Sequence, residues 1–269
     1  MKIAHLSDLH FGRIANPGIV DALVAEINER ADDLVVLSGD LTQRARPREF
    51  EAARAMLSRL DPPTLVVPGN HDVYPWWRPV RRLWSPLRRF KQYVTDDLTP
   101  RHIRDGVAVL GISTAYGATI KGGRVRPAAR RAIREVFGSR GEGRFKVLVV
   151  HHHLSTLRSL GVHDVARQAR RTLDAAAEAG VHLILCGHLH VSHVEPLQVV
   201  PGERRIVVAS AGTATSNRGR SAEGPINRYN VVTVTDEAFR IEERRYVPGD
   251  GRFEHDRTTR FDRRPPPVE

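Results

Sequence analysis

The stretch Lys2-Ile3-Ala4-His5-Leu6-Ser7-Asp8-Leu9-His10 decides the fold class. Its first half is a short β-type run. Its second half sets Asp8 and His10 two residues apart, just past the run's C-terminal end. The pattern returns four times. Leu34–Leu37 leads into Gly39-Asp40, and Leu65–Val67 into Gly69-Asn70-His71-Asp72. Val147–Val150 leads into His151-His152-His153, and Leu183–Cys186 into Gly187-His188-Leu189-His190.

Helical periodicity fills the gaps: Ile19–Arg30 behind Pro17, Arg48–Leu60, Ser85–Val94, Pro127–Val136 with proline at its first position, and Val165–Ala179 stopped by Gly180. Val107–Ile112 reads as a further strand. Such alternation predicts βα units around a largely parallel sheet, and open α/β sheets bind ligands beyond the carboxyl ends of their strands. After Cys186 the period changes. Val194–Val200, Arg205–Ala209, Tyr229–Thr235 and Phe239–Val247 read as strands without helices between them, so the closing portion is expected to be antiparallel. Residues 1–256 read as one domain. Gly138–Gly143 reads as a flexible loop, and the Arg-rich 257–269, ending Pro265-Pro266-Pro267, as a loose tail.

With 41 % hydrophobic residues in 269, the chain can bury a sizeable core. Its one cysteine, Cys186, sits in an apolar run and reads as a small core hydrophobe; it excludes an internal disulfide and a thiolate metal cluster. No apolar h-region opens the sequence and no run approaches the ~20 apolar residues of a membrane span, so a cytoplasmic location is expected. The net charge of +11 suits an anionic partner, although the arginines are spread along the chain, as a compositional bias would also spread them.

Asp, His and Asn gathered at one sheet edge suit a pair of divalent cations. Such a pair sits ~3.5–4 Å apart and clamps a phosphate. A carboxylate bridge offsets cation repulsion, and imidazole and amide oxygen leave the site net positive towards an anion. Glycines before Asp40, Asn70 and His188 are expected to let the backbone turn sharply beside the site. His5, on the first strand, reads as a satisfied core histidine, and His153 as solvated.

The order D-x-H, G-D, G-N-H-D, H, G-H-x-H resembles the calcineurin-like metallophosphoesterase superfamily, over about seven-tenths of the chain from Asp8 to His190. His5-Leu6-Ser7-Asp8-Leu9-His10-Phe11 and Gly39-Asp40-Leu41-Thr42-Gln43 are similar to its bacterial cyclic-nucleotide and glycerophosphodiester phosphodiesterase branch. The resemblance implies a four-layer αββα sandwich, two mixed sheets flanked by helices, with a binuclear metal site at the strand C-terminal edge. It implies that Asp8, His10 and His190 hold one metal, that Asp40 bridges, and that Asn70, His151 and His188 hold the other. His71 would be the non-ligand histidine that protonates the leaving alcohol or stabilises the transition state. Asp72 either orients His71 or caps a turn. Arg13, Thr42, His152 and His193 are candidate substrate contacts. The metals are manganese, iron or zinc, among which O and N ligands do not choose.

The implied activity is hydrolysis of a small phosphodiester by in-line attack of a metal-bridging hydroxide. Gly39-Asp40-Leu41-Thr42-Gln43-Arg44-Ala45 lacks the second Asp and final Gly of the protein-phosphatase motif G-D-x-x-D-R-G. The runner-up readings are a nuclease or a phosphomonoesterase of the same superfamily; a non-catalytic scaffold is more remote, since every ligand position is filled. The basic aromatic segment 76–91 would suit nucleic acid, the less favoured partner, or form a substrate-covering cap with Leu83, Leu87 and Phe90 packed inward. It would also suit an anionic membrane surface or self-association.

Overall fold

The computed structural model describes residues 1–104, 106–138, 143–157, 161, 163–199, 205–219 and 226–263. The elements run β1 (Lys2–Leu6), α1 (Ile19–Arg30), β2 (Leu34–Leu37), α2 (Pro47–Leu57), β3 (Thr64–Val66), α3 (Pro79–Trp84), α4 (Arg88–Tyr93), β4 (Arg101–Arg104) and β5 (Val107–Gly111). They continue α5 (Pro127–Gly138), β6 (Phe145–Val149), α6 (Ala169–Glu178), β7 (Leu183–Cys186), β8 (His193–Leu197), β9 (Ile206–Ser210), β10 (Arg228–Val234), β11 (Ala238–Val247) and β12 (Arg252–Asp262).

Two six-stranded mixed sheets form, in the orders β12-β11-β10-β1-β2-β3 and β4-β5-β6-β7-β9-β8. Each has a parallel block: β1-β2-β3 ends the first sheet, with β10, β11 and β12 antiparallel on its other side, and β5-β6-β7-β9 is central in the second, between antiparallel β4 and β8. Strand periodicity explains the layering, because successive side chains point to opposite faces. Ile3, Leu34, Val36, Val109, Val147 and Leu185 meet between the sheets. On the alternate register, Ala4, Leu6, Val35 and Leu37 pack under Leu23, Ile27, Phe50 and Phe90 of the helices. Leu110, Leu148 and Ile184 pack under Ile133, Phe137 and Leu173 on the far side. The result is the four-layer αββα sandwich. Among the described residues, no helix is long and apolar enough to cross a membrane.

Some expectations are corrected. The residues 257–262 assigned to a loose tail belong to β12, which pairs with β11 along its length. Phe261 stacks on Phe239, and Arg257 donates to the buried Glu243 at 2.6 Å. Arg257 and Arg260, two of the arginines that suggested a tail, are exposed on an edge strand, where charge discourages further pairing. β4 and α3 add elements with no clear periodicity of their own. Leu87 and Phe90 pack inward, but Leu83 is exposed. Residues 139–142 of the Gly138–Gly143 loop and the prolines 265–267 lie outside the described residues.

Candidate metal centre

The loops after β1, β2, β3, β6 and β7 converge at the carboxyl edge of both parallel blocks. Five residues there, Asp8, His10, Asp40, His188 and His190, have φ between 47° and 73°. Left-handed backbone costs a residue bearing a β-carbon about 1–3 kcal/mol and persists where surrounding structure imposes it. Backbone bonds from Asp8 N to Gly39 O and from His10 N to Asp40 O, 3.0 Å each, supply part of that restraint. The motif glycines serve chiefly as space rather than as turns. Only Gly39 has positive φ, 101°. A β-carbon on Gly187 would meet Asp8 Oδ2 at 2.5 Å and the Ser7 hydroxyl closer still; one on Gly69 would strike the Asp40 carboxylate.

Asp8, His10, Asp40 and His190 form one buried donor set. The Nδ1 atoms of His10 and His190 face backbone carbonyls, Thr42 O at 3.3 Å and Arg218 O at 3.1 Å. Each ring therefore donates there and turns an Nε2 lone pair inward. Those two Nε2 atoms stand 3.1 Å apart, and Asp8 Oδ1 lies 3.0 Å from His190 Nε2. Lone pairs converging at such distances repel unless a cation lies among them.

The second set is built likewise. His151 Nδ1 donates to Ser38 O at 2.7 Å, leaving Nε2 to face Asn70 Oδ1 at 3.2 Å and Asp40 Oδ2 at 3.4 Å. His188 Nδ1 lies 3.0 Å from Asn70 Oδ1. The ligand atoms of His152 lie near those of His151 and His188. Both of its ring nitrogens are engaged, however, Nδ1 with the Thr114 hydroxyl and Nε2 with Lys121 O, each at 2.8 Å. Asn70, not His152, completes this set.

Asp40 Oδ2 faces both sets, being also 3.7 Å from His10 Nε2, while Oδ1 accepts the His71 N–H at 2.8 Å. Asp8 Oδ1 and Asp40 Oδ2 are buried without a hydrogen-bond donor, an arrangement that buried carboxylates avoid unless a cation satisfies them. The donor set thus fits two divalent metals. Electrostatics agree. Burial acts to raise both carboxyls, but the facing imidazoles, His190 for Asp8 and His151 for Asp40, hold them well below the usual carboxylate range. Burial acts to lower His151, yet Asp40 pushes it up to about 9. A pocket that binds a proton this tightly binds a cation for the same reason.

A cavity of about 260 Å³ opens over Asp40, Asn70, His71, His188 and His190, and Lys121, His163, Asp164 and Arg218 complete its wall. His71 is half-buried, with Nδ1 donating to Gln43 O at 2.7 Å and Nε2 accepting from Arg218 Nη1 at 3.0 Å. Burial, with His10 and Arg218, lowers it, so the imidazole is neutral.

Several candidates sit elsewhere. Asp72 does not touch the His71 ring; it accepts the backbone N–H groups of Leu41, Thr42 and Gly69 and the Thr42 hydroxyl, tying two motif loops together. Thr42 is buried in that network and has no face to the cavity. His152 is likewise enclosed. His153, expected in solvent, is 1 % exposed, beside Cys186 Sγ and Ser210 Oγ. His5 is buried against Ser38. Arg13 is exposed and does not line the cavity, and His193 on β8 pairs with Glu195 at 2.9 Å. Arg218 and Lys121 were missed by sequence reasoning. Arg218 follows Ser216-Asn217, outside any motif spacing, and no local signal marks it.

Comparisons with known proteins agree with this geometry. The chain is 41 % identical over 83 residues to the glycerophosphodiester phosphodiesterase GpdQ of Enterobacter lignolyticus, covering 27 % of this chain and 30 % of that protein. It is 31 % identical over 81 residues to a probable cyclic nucleotide phosphodiesterase of Synechococcus, covering 27 % and 31 %. The matches thus span about a third of those relatives' lengths. In fold it is similar to purple acid phosphatase PPD1 of yellow lupin, with TM-score 0.74 and 11 % identity over 97 % of this chain and 53 % of that one. It is also similar to a dimetal phosphatase of Danio rerio, with TM-score 0.66 and 12 % identity over 95 % and 98 %. The family model for calcineurin-like phosphoesterases matches residues 1–192, more than half of the chain, and the chain belongs to that family.

Proposed function

We propose that this chain is a binuclear-metal-dependent phosphodiesterase acting on small diesters of the cyclic-nucleotide or glycerophosphodiester class. The observation that carries the reading is the shared position of Asp40 Oδ2 between two inward-facing lone-pair sets. Asp8, His10 and His190 would hold one metal and Asn70, His151 and His188 the other, with Asp40 common to both. Bound there, the two cations would supply Lewis-acid polarisation of the phosphate and activation of water at neutral pH.

The chain's own groups do the rest. Arg218 and Lys121 line the cavity and offset the phosphate charge as substrate enters. The Gln43 carbonyl fixes the His71 ring by its bond to Nδ1, so that Nε2 points into the cavity beside Arg218. When Arg218 turns to phosphate, the Nε2 lone pair is freed to take up a proton from solvent, and the imidazolium so formed would pass that proton to the leaving alkoxide. Asp72 holds the loops bearing Asp40 and Asn70 at a set separation through four hydrogen bonds. The diester preference is supported by the short matched segments of relatives named as phosphodiesterases.

The test compares bis(p-nitrophenyl) phosphate with p-nitrophenyl phosphate, using stripped protein reloaded with manganese. Faster diester turnover, abolished by chelation, is expected. Monoester preference would replace the reading with a phosphatase, and no turnover of either with two metals bound would overturn it.

A further inference from the structure

Among the described residues, six of the seven exposed large apolar side chains lie on one edge: Trp76, Trp77, Val80, Leu83, Trp84 and Ile120. They include every tryptophan of the chain. Val80, Leu83 and Trp84 stand at helical spacing on one face of α3, and Trp84 is 83 % exposed. This exposure is built rather than accidental. The buried Arg82 reaches inward to the Tyr74 and Thr119 carbonyls, clamping α3 and the Ile120 loop together, while Leu87 and Phe90 anchor the segment in the core.

The charge along the segment has one sign. From Val73 to Thr95 the sequence has no carboxylate, and Arg78, Arg81, Arg88 and Lys91 are exposed among the apolar groups. Arg44 lies over the Trp77 ring and Arg81 over Tyr74, keeping guanidinium beside aromatic. Tryptophan with arginine suits the headgroup layer, where the indole meets the hydrocarbon boundary and the cation meets phosphate. The aliphatic Val80, Leu83 and Ile120 distinguish this occupant from nucleic acid, since they offer a base no π-face for stacking.

We infer that this edge docks on anionic phospholipid bilayers, with α3 and the Ile120 loop inserted at the headgroup level. Trp76 and Ile120 also line a trough that runs to His71 and Arg218, so docking turns the candidate site towards the lipid surface. The inference does not depend on the proposed reaction.

All three tryptophans report on the patch, so intrinsic emission of the full chain is the assay, with vesicles of phosphatidylcholine alone or with 30 mol % phosphatidylglycerol. The expected result is a blue shift and quenching by brominated acyl chains with the anionic vesicles, weakened by salt, and little change with phosphatidylcholine. Arg81→Gln and Arg88→Gln should each weaken binding about fivefold. The pair Leu83→Ala and Trp84→Ala should weaken it at least about tenfold. Turnover of bis(p-nitrophenyl) phosphate without vesicles should stay unchanged in these variants, which separates a failure here from a failure of the proposed activity. An unchanged spectrum at millimolar anionic lipid would overturn the inference. So would equal binding to phosphatidylcholine, a response to oligonucleotide in place of lipid, or a lipid-free dimer that buries the tryptophans.

Discussion

Gly187→Ala changes no ligand and adds one methyl group, yet the structure makes it a severe lesion of the candidate metal centre. The new β-carbon would stand 2.5 Å from Asp8 Oδ2, where ordinary contact begins at 3.4 Å. Asp8 must therefore retreat by about 0.9 Å and the Ser7 hydroxyl, which lies closer still, by more, or the loop bearing His188 and His190 must move by at least as much. Asp8 cannot retreat freely, because Oδ2 is held by the Ser7 hydroxyl at 2.6 Å and by the His188 N–H at 2.9 Å. A displacement of about 1 Å at a reacting constellation costs on the order of 10²-fold in rate, while overpacking costs about 1–3 kcal/mol in stability. The expected variant thus folds, melts a few degrees lower and loses at least about 10²-fold in metal-dependent phosphoesterase turnover, with reduced metal content. Elemental analysis after manganese loading, diester turnover and a thermal melt measure the three quantities. Gly249→Ala, where a β-carbon meets nothing within 4 Å, serves as control. A Gly187→Ala protein that kept two metals and turnover within twofold of the parent would refute the claim that Asp8 is needed where the fold holds it.

Asp40→Ala removes the oxygen common to both donor sets and should abolish metal retention and nearly all turnover; full activity with two metals would remove Asp40 from that role. His71→Ala should retain both metals and lose roughly 10²–10⁴-fold in rate, and metal loss in that variant would make His71 a ligand. Arg218→Ala should raise KM for diester, with metal content unchanged, since it removes a cavity cation and leaves every ligand in place. Burial pushes His5 down to about 3, below its ordinary value near 6.5. Its contribution is therefore present above pH 6.5 and is lost as pH falls towards 3, because the unfolded chain takes the proton first. Between pH 7.5 and 5.5 that amounts to about 1.4 kcal/mol. His5→Gln should lessen the acid sensitivity of urea unfolding by that amount, measured in chelator, and an unchanged pH dependence would show that His5 is not buried neutral.

Some of this molecule was legible from short range. β1, α1, β2 and β7 have the bounds that local periodicity marks, because each buries a face defined by its own alternation or turn. The donor types at the strand ends were legible for the same reason: Asp, His and Asn stand where an apolar run stops. Three-dimensional packing decided the rest. The end of β12, from Arg257, looked like a tail because an edge strand needs little apolar signal once β11 supplies its hydrogen bonds. His153 is buried because Cys186 and Ser210, 33 and 57 residues away, enclose it. The tautomers that turn His10 and His190 lone pairs together depend on carbonyls of Thr42 and Arg218, and the two rings themselves are 180 residues apart. Arg218 reaches His71 across 147 residues. Local sequence determined which atoms this chain can offer a metal or a phosphate. Only the closing of two sheets into one sandwich decided which of them meet, since a hydrogen bond or a converging lone pair is set by angstroms in space rather than by neighbours along the chain.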